Sequence, residues 1–116
     1  MNNPVSLQTL LTAAGGTPAQ QLMLFALLNL GMIEALVNGL LSATHALRVF
    51  FHTENCLFVR KYLRNTTADA IMSHGVQLPD LFDMLPGEEA HREFQRELAT
   101  MRALCLKLLA GKPLIV

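Results

Sequence analysis

The sequence predicts an all-α protein: a helical bundle of about four to five helices, with one long apolar central helix and a long C-terminal helix, completed by dimerisation. Three observations predict it. No segment alternates apolar and polar residues with the period of two that a half-buried strand requires. Thr17-Pro18 sets an N-cap residue before a proline at the first helical position, ahead of a long helix-forming run. Near the other end His91, Phe94, Leu98, Met101, Cys105 and Leu108 recur at steps of three and four.

Residues 1–16 are small and polar, end in Ala13-Ala14-Gly15-Gly16 and carry no charged side chain. They read as a flexible N-terminal arm in which Leu7, Leu10 and Leu11 form one short docked turn. Residues 17–112 read as a single helical-bundle domain and 113–116 as a short C-terminal tail.

The central helix is expected from Ala19 to about His52, weakened at Gly31 and Gly39 by about 1 kcal/mol each relative to alanine, which leaves a kink or break near either glycine open. Thr53-Glu54 is a second start signal, so residues 54–64 form either a separate helix or a continuation. Thr66 followed by Asp69 resembles a capping box and opens a short helix to His74, which Gly75 closes in a left-handed cap. Leu78-Pro79 forces an extended step, and Pro79 to Leu85 fits two further turns. The last helix runs from Glu88 to Ala110, with Glu88/Arg92 and Glu93/Arg96 as surface pairs and Gly111 and Pro113 as its stop.

Hydrophobic residues make up 52% of the chain and charged residues only 16%, below the usual quarter, so more apolar surface is present than one small core absorbs. Nine basic and nine acidic side chains cancel, which removes any overall field for nucleic acid or acidic membranes and favours self-association. Cys56 and Cys105 lack metal or redox spacing and read as small hydrophobes. The N-terminus lacks the basic region of a secretory signal, so a cytoplasmic location is expected.

Leu22 to Leu41 holds 20 residues with one charge, Glu34, and is long enough to span a bilayer. A lipid-facing helix is apolar all round, whereas Gly31, Glu34, Asn38, Ser42, His45, Arg48 and His52 recur every three or four residues as one polar stripe. That favours a buried helix paired with a second copy through Leu28, Ile33, Leu36 and Leu40, and makes a single-span membrane protein the alternative.

The stripe supplies the ligand-binding candidates: His45, Arg48 and His52, with Glu34 and Asn38 further back. Two histidines flanking an arginine can hold an anion or exchange protons. Arg48-Val49-Phe50-Phe51-His52 resembles the Arg-x4-6-His signature of the HEPN ribonucleases, themselves small helical dimers, over five residues of 116. Its gap is one residue short, and valine follows the arginine where that family has a polar residue.

His52 and Cys56 stand at i,i+4, and Glu88-Glu89-Ala90-His91 holds a single Glu-x-x-His where di-iron bundles use two, so no metal and no cofactor is expected. Arg60, Lys61 and Arg64 form a basic cluster followed by Asp69, Asp80, Asp83, Glu88 and Glu89, which predicts attraction between these regions. With Tyr62 alone interleaved and no tryptophan, a base-stacking surface is not expected. No glycine-rich loop has phosphate-binding spacing, and no catalytic residue is assigned. The expected function is a non-enzymatic protein-interaction or structural module acting as a homo-oligomer, with a homodimer as the expected assembly and another protein as the alternative partner. The alternative is an anion- or small-molecule-binding regulator, or a weak enzyme, on the His45/Arg48/His52 face.

Overall fold

The computed structural model describes residues 3–110, and these are helical without strands. Six α-helices and one π-helical segment follow one another: α1 (Leu7–Ala14), α2 (Pro18–Val37), α3 (Ala43–Val49), α4 (Thr53–Phe58), the π-helix (Val59–Leu63), α5 (Thr66–Met84) and α6 (Gly87–Ala110). The expected tail at 113–116 and the stop at Gly111 and Pro113 lie outside the described residues.

The arm expected at the N-terminus contains a docked helix. Ser6 caps α1 by accepting the Thr9 amide at 3.1 Å. Leu7 and Leu11 are fully buried, because one turn apart they share the face that packs on α2 and α4. Gly15, at φ 66, lets the chain leave in a conformation that costs other residues steric strain. Thr17 then forms a complete capping box with Gln20: Oγ1 accepts the Gln20 amide at 3.2 Å, and the Thr17 amide donates to Oε1 at 2.8 Å.

The stretch from Ala19 to His52 is not one helix: the break left open near Gly39 occurs, and none occurs at Gly31. α2 ends at Val37, and Gly39 adopts φ 72 in a Schellman motif, with its amide bonded to Leu36 O at 3.2 Å and the Leu40 amide to Ala35 O at 2.8 Å. Two carbonyls are thereby satisfied without helical continuation. Ser42 restarts the chain as α3 by accepting the His45 amide at 3.0 Å, and α4 is a separate helix from Thr53.

In α5 the starting cap is Asn65, whose Oδ1 accepts the Ala68 amide at 2.9 Å, one residue before the expected Thr66. The helix runs through both Gly75 and Pro79 rather than stopping. Gly75 serves a close approach: a Cβ there would stand 2.3 Å from the Phe51 ring, so the missing side chain lets α5 seat on the end of α3. Pro79 lacks the amide that would bond the Gly75 carbonyl. Burial of Leu78 and half-burial of Leu81 against the core keep the flanking turns helical.

α6 follows its sequence pattern, with Phe94, Leu98, Met101 and Cys105 buried along α5 and α2. Ala90 occupies the inward position at its start, and His91 is exposed. His74 Nδ1 and Glu97 Oε1, 2.6 Å apart, link α5 to α6.

The excess apolar residues are largely absorbed within the chain. Phe25, Ala26, Ile33 and Leu36 of α2 are buried, and Leu22, Leu24, Leu28, Leu30 and Met32 pack partly buried against the same core. α2 is, among the described residues, the one helix long and apolar enough to cross a membrane by length and composition. Its exposed strip includes Leu27, Gly31, Glu34 and Asn38, so the polar stripe read from the sequence is its outward edge.

Candidate functional site

Two concave surfaces among the described residues stand out by volume. The first is a cleft of about 560 Å³ between α3, α4 with its π-helical extension, and α5. A buried amide in α4, one of the helices that border it, ties that helix to its neighbours. Asn55, 2% exposed, accepts the Leu7 amide at 3.0 Å and donates to Val5 O at 3.0 Å and Phe50 O at 2.7 Å. His52 adds a bond of 2.9 Å from Nε2 to Val5 O. Because a carbonyl only accepts, Nε2 carries the proton and Nδ1 is left as the imidazole's second polar atom. The Val5 amide donates to Val49 O at 2.8 Å, so the chain before α1 is stitched to the α3–α4 joint.

Leu47, Phe51, Leu57, Met72 and Val76 give the cleft apolar surface, and Arg48, His52, Arg60 and Asp69 supply its charged and imidazole groups beside the neutral polar Thr53, Ser73 and Gln77. Arg60 stands in the π-helical turn, a wide turn that re-aims side chains and recurs at functional sites. It lies 3.7 Å from Asp69 Oδ2, the attraction expected between the basic cluster and the acidic residues after it. Cys56 also lines the cleft, its thiol donating to Phe51 O at 3.7 Å. Burial pushes that thiol pKa up, with Arg60 opposing and Asp69 adding to the shift. Cys105, fully buried in α6, is pushed up to about 11 by burial alone.

Of the five ligand-binding candidates, only Arg48 and His52 line this cleft. The break after α2 separates Glu34 and Asn38, which bond to each other instead, Asn38 Nδ2 donating to Glu34 Oε2 at 2.8 Å. His45 lies on α3, half-buried and outside the cleft lining. Arg60, Asp69 and Met72 come from elements that the sequence pattern did not connect to the stripe. The one signal pointing to them was the opposite charge of Arg60 and Asp69. Among the described residues no group of three or more histidine, cysteine, aspartate or glutamate side chains converges as a metal site would require.

The second surface is a groove of about 500 Å³ where the α2–α3 turn meets the end of α5 and the start of α6. Val37, Leu41, Phe82 and Phe94 line it, with Asp83 and His91 as polar members. The rings of Phe82 and Phe94 pack at 5.1 Å. Of its lining, Val37 and Phe82 are each 46% exposed; Leu40, between the lining residues Gly39 and Leu41, and Met84, next to Asp83, are each 77% exposed. The four interface candidates therefore divide. Ile33 and Leu36, each 2% exposed, are spent in the chain's own core, and Leu28 is half-buried against it. Leu40 alone projects, because the Schellman turn carries it past the end of α2.

The chain matches no protein-family model, no curated protein and no solved structure.

Proposed function

We propose that this chain is a non-enzymatic helical module that acts through protein contacts and pairs with a second copy of itself at the groove beside Leu40. The observation that carries this reading is an apolar groove lined by Val37 and Phe82, each 46% exposed, with Leu40 and Met84, each 77% exposed, adjacent in sequence to its lining residues Gly39, Leu41 and Asp83. Such a patch on an otherwise mixed surface marks an interaction site. It holds both a projecting side chain, Leu40, and a groove able to receive one. A patch of that kind is self-complementary, and a two-fold axis satisfies both copies at once. The balanced formal charge sets no overall repulsion between copies. Asp83 and His91 give the groove an acceptor and a donor for its edge.

Light scattering on the full chain tests it. The wild type is expected as a dimer at tens of micromolar and Leu40→Asp as a folded monomer. A wild-type monomer at that concentration overturns the reading, as does a chain that sediments with membranes, which would assign α2 to a bilayer instead.

A further inference from the structure

The cleft between α3, α4 and α5 is separate from the groove beside Leu40 and has different chemistry. We propose that it binds a small amphipathic monocarboxylate, an unbranched acid of medium chain length, with the tail along the apolar surface and the head between Arg48 and Arg60.

Volume, lining and charge carry the inference together. At about 560 Å³ the cleft lies within the range of small-ligand sites, which are mostly apolar with a few placed polar groups. Two guanidinium groups face one carboxylate in the lining, that of Asp69. Asp69 is already 3.7 Å from Arg60, whereas Arg48 forms no salt bridge among the described residues. One positive charge is therefore left for a ligand, which matches a monoanion better than a phosphate monoester, whose charge approaches minus two at neutral pH. A guanidinium holds a carboxylate through two parallel hydrogen bonds. Leu57 and Val76, exposed at 55% and 40%, are the lining side chains that a tail would cover.

Cys56 supplies an internal reporter, because it lines the cleft while Cys105 is fully buried on α6. The test titrates the full chain with decanoate, with decanol as the uncharged comparison, and follows both calorimetry and the rate of Cys56 alkylation. Saturable decanoate binding, slower Cys56 alkylation, and an affinity loss of about tenfold in either Arg48→Gln or Arg60→Gln are expected. Both arginines are exposed, so these variants should keep the wild-type circular dichroism spectrum. Val76→Phe, which narrows the apolar part of the cleft, should weaken decanoate binding with both arginines intact. The proposal is overturned by an absence of saturable binding, by decanol binding as tightly as decanoate, or by arginine variants that bind as the wild type does. Capture on vesicles of anionic phospholipid without binding of free decanoate overturns it as well, since the head group would then belong to a membrane surface.

Discussion

Asn55 Oδ1 accepts the amide of Leu7 at 3.0 Å across 48 residues of chain. The first amides of a helix have no partner within it, so this one bond satisfies a donor that burial would otherwise leave unpaired. Nδ2 is used twice, on Val5 O and Phe50 O, and the side chain thus joins three chain segments at a point closed to water. Asn55→Leu removes the partner of all three groups. It should cost about 3 kcal/mol or more in urea denaturation, and hydrogen exchange should show α1 losing protection before the rest. Uniform protection loss would show that α1 is not held through this residue.

Asn29 is the opposite case. It is fully buried in α2, its Nδ2 donates to Phe25 O at 3.1 Å, and its Oδ1 has no hydrogen-bond partner among the described residues. An unpaired buried acceptor destabilises the fold, and the Phe25 carbonyl keeps its helical position whether or not Asn29 is present. Asn29→Leu, similar in shape, should therefore be neutral or raise stability by up to about 1 kcal/mol. A large loss in thermal unfolding would mean that Oδ1 has a role the folded chain alone does not account for.

Two glycines with helical backbone should respond in opposite senses to alanine. At Gly75 the added Cβ meets the Phe51 ring at 2.3 Å, and Phe51 is itself buried, so it has little room to move. Gly75→Ala should cost about 2 kcal/mol through overpacking. At Gly31 nothing lies within 4 Å of the same atom, so Gly31→Ala should gain about 0.5 to 1 kcal/mol from helix propensity. Equal effects at the two positions in chemical denaturation would contradict the α3–α5 approach.

Much of the fold was legible because α6 and the start of α2 carry their signals locally. The Thr17-Pro18 cap, the three-and-four spacing from Phe94 to Cys105 and the absence of strands all appear as read. What failed were judgements that one residue type makes in opposite ways. Gly39 breaks a helix by adopting φ 72, while Gly75 stays helical because Phe51 needs the space. Leu78-Pro79 reads as an extended step, whereas the packing of Leu78 and Leu81 outweighs the amide that Pro79 lacks and the helix runs through it. The candidate site was half legible. Arg48 and His52 stand four apart and line one cleft, but Arg60 and Asp69 reach it only through the π-helical turn and the start of α5. No periodicity in the sequence connects those elements.

The buried thiol of Cys105 sets an alkaline limit. Its pKa is raised to about 11 in the folded chain from an ordinary value of 9.0. Between those values the unfolded chain has released a proton that the folded chain retains, so ν_U is below ν_N and unfolding free energy falls as pH rises. The contribution is fully present below 9.0 and is lost as pH rises to about 11. In Cys105→Ala, less stable at neutral pH from its cavity, the gap to wild type should narrow over that window. A constant gap in pH-dependent thermal melts would contradict the assignment.

Leu36 and Leu40 separate folding from assembly. Leu36→Asp places a charge in the core, where the wild-type side chain is 2% exposed, and should prevent folding. Leu40→Asp and Met84→Asp act on side chains 77% exposed and should change monomer stability by about 0.5 kcal/mol or less. Unfolding by Leu40→Asp in circular dichroism would show that the turn beside α2 depends on that side chain.

Pairing through the Leu40 groove is tested most directly by isotope-filtered nuclear Overhauser spectroscopy on an equal mixture of labelled and unlabelled chains. Intermolecular cross-peaks are expected from the Leu40 methyl groups to the ring protons of Phe82 and Phe94. Intermolecular cross-peaks confined to another surface, or none at a concentration where the chain scatters as a dimer, would contradict it.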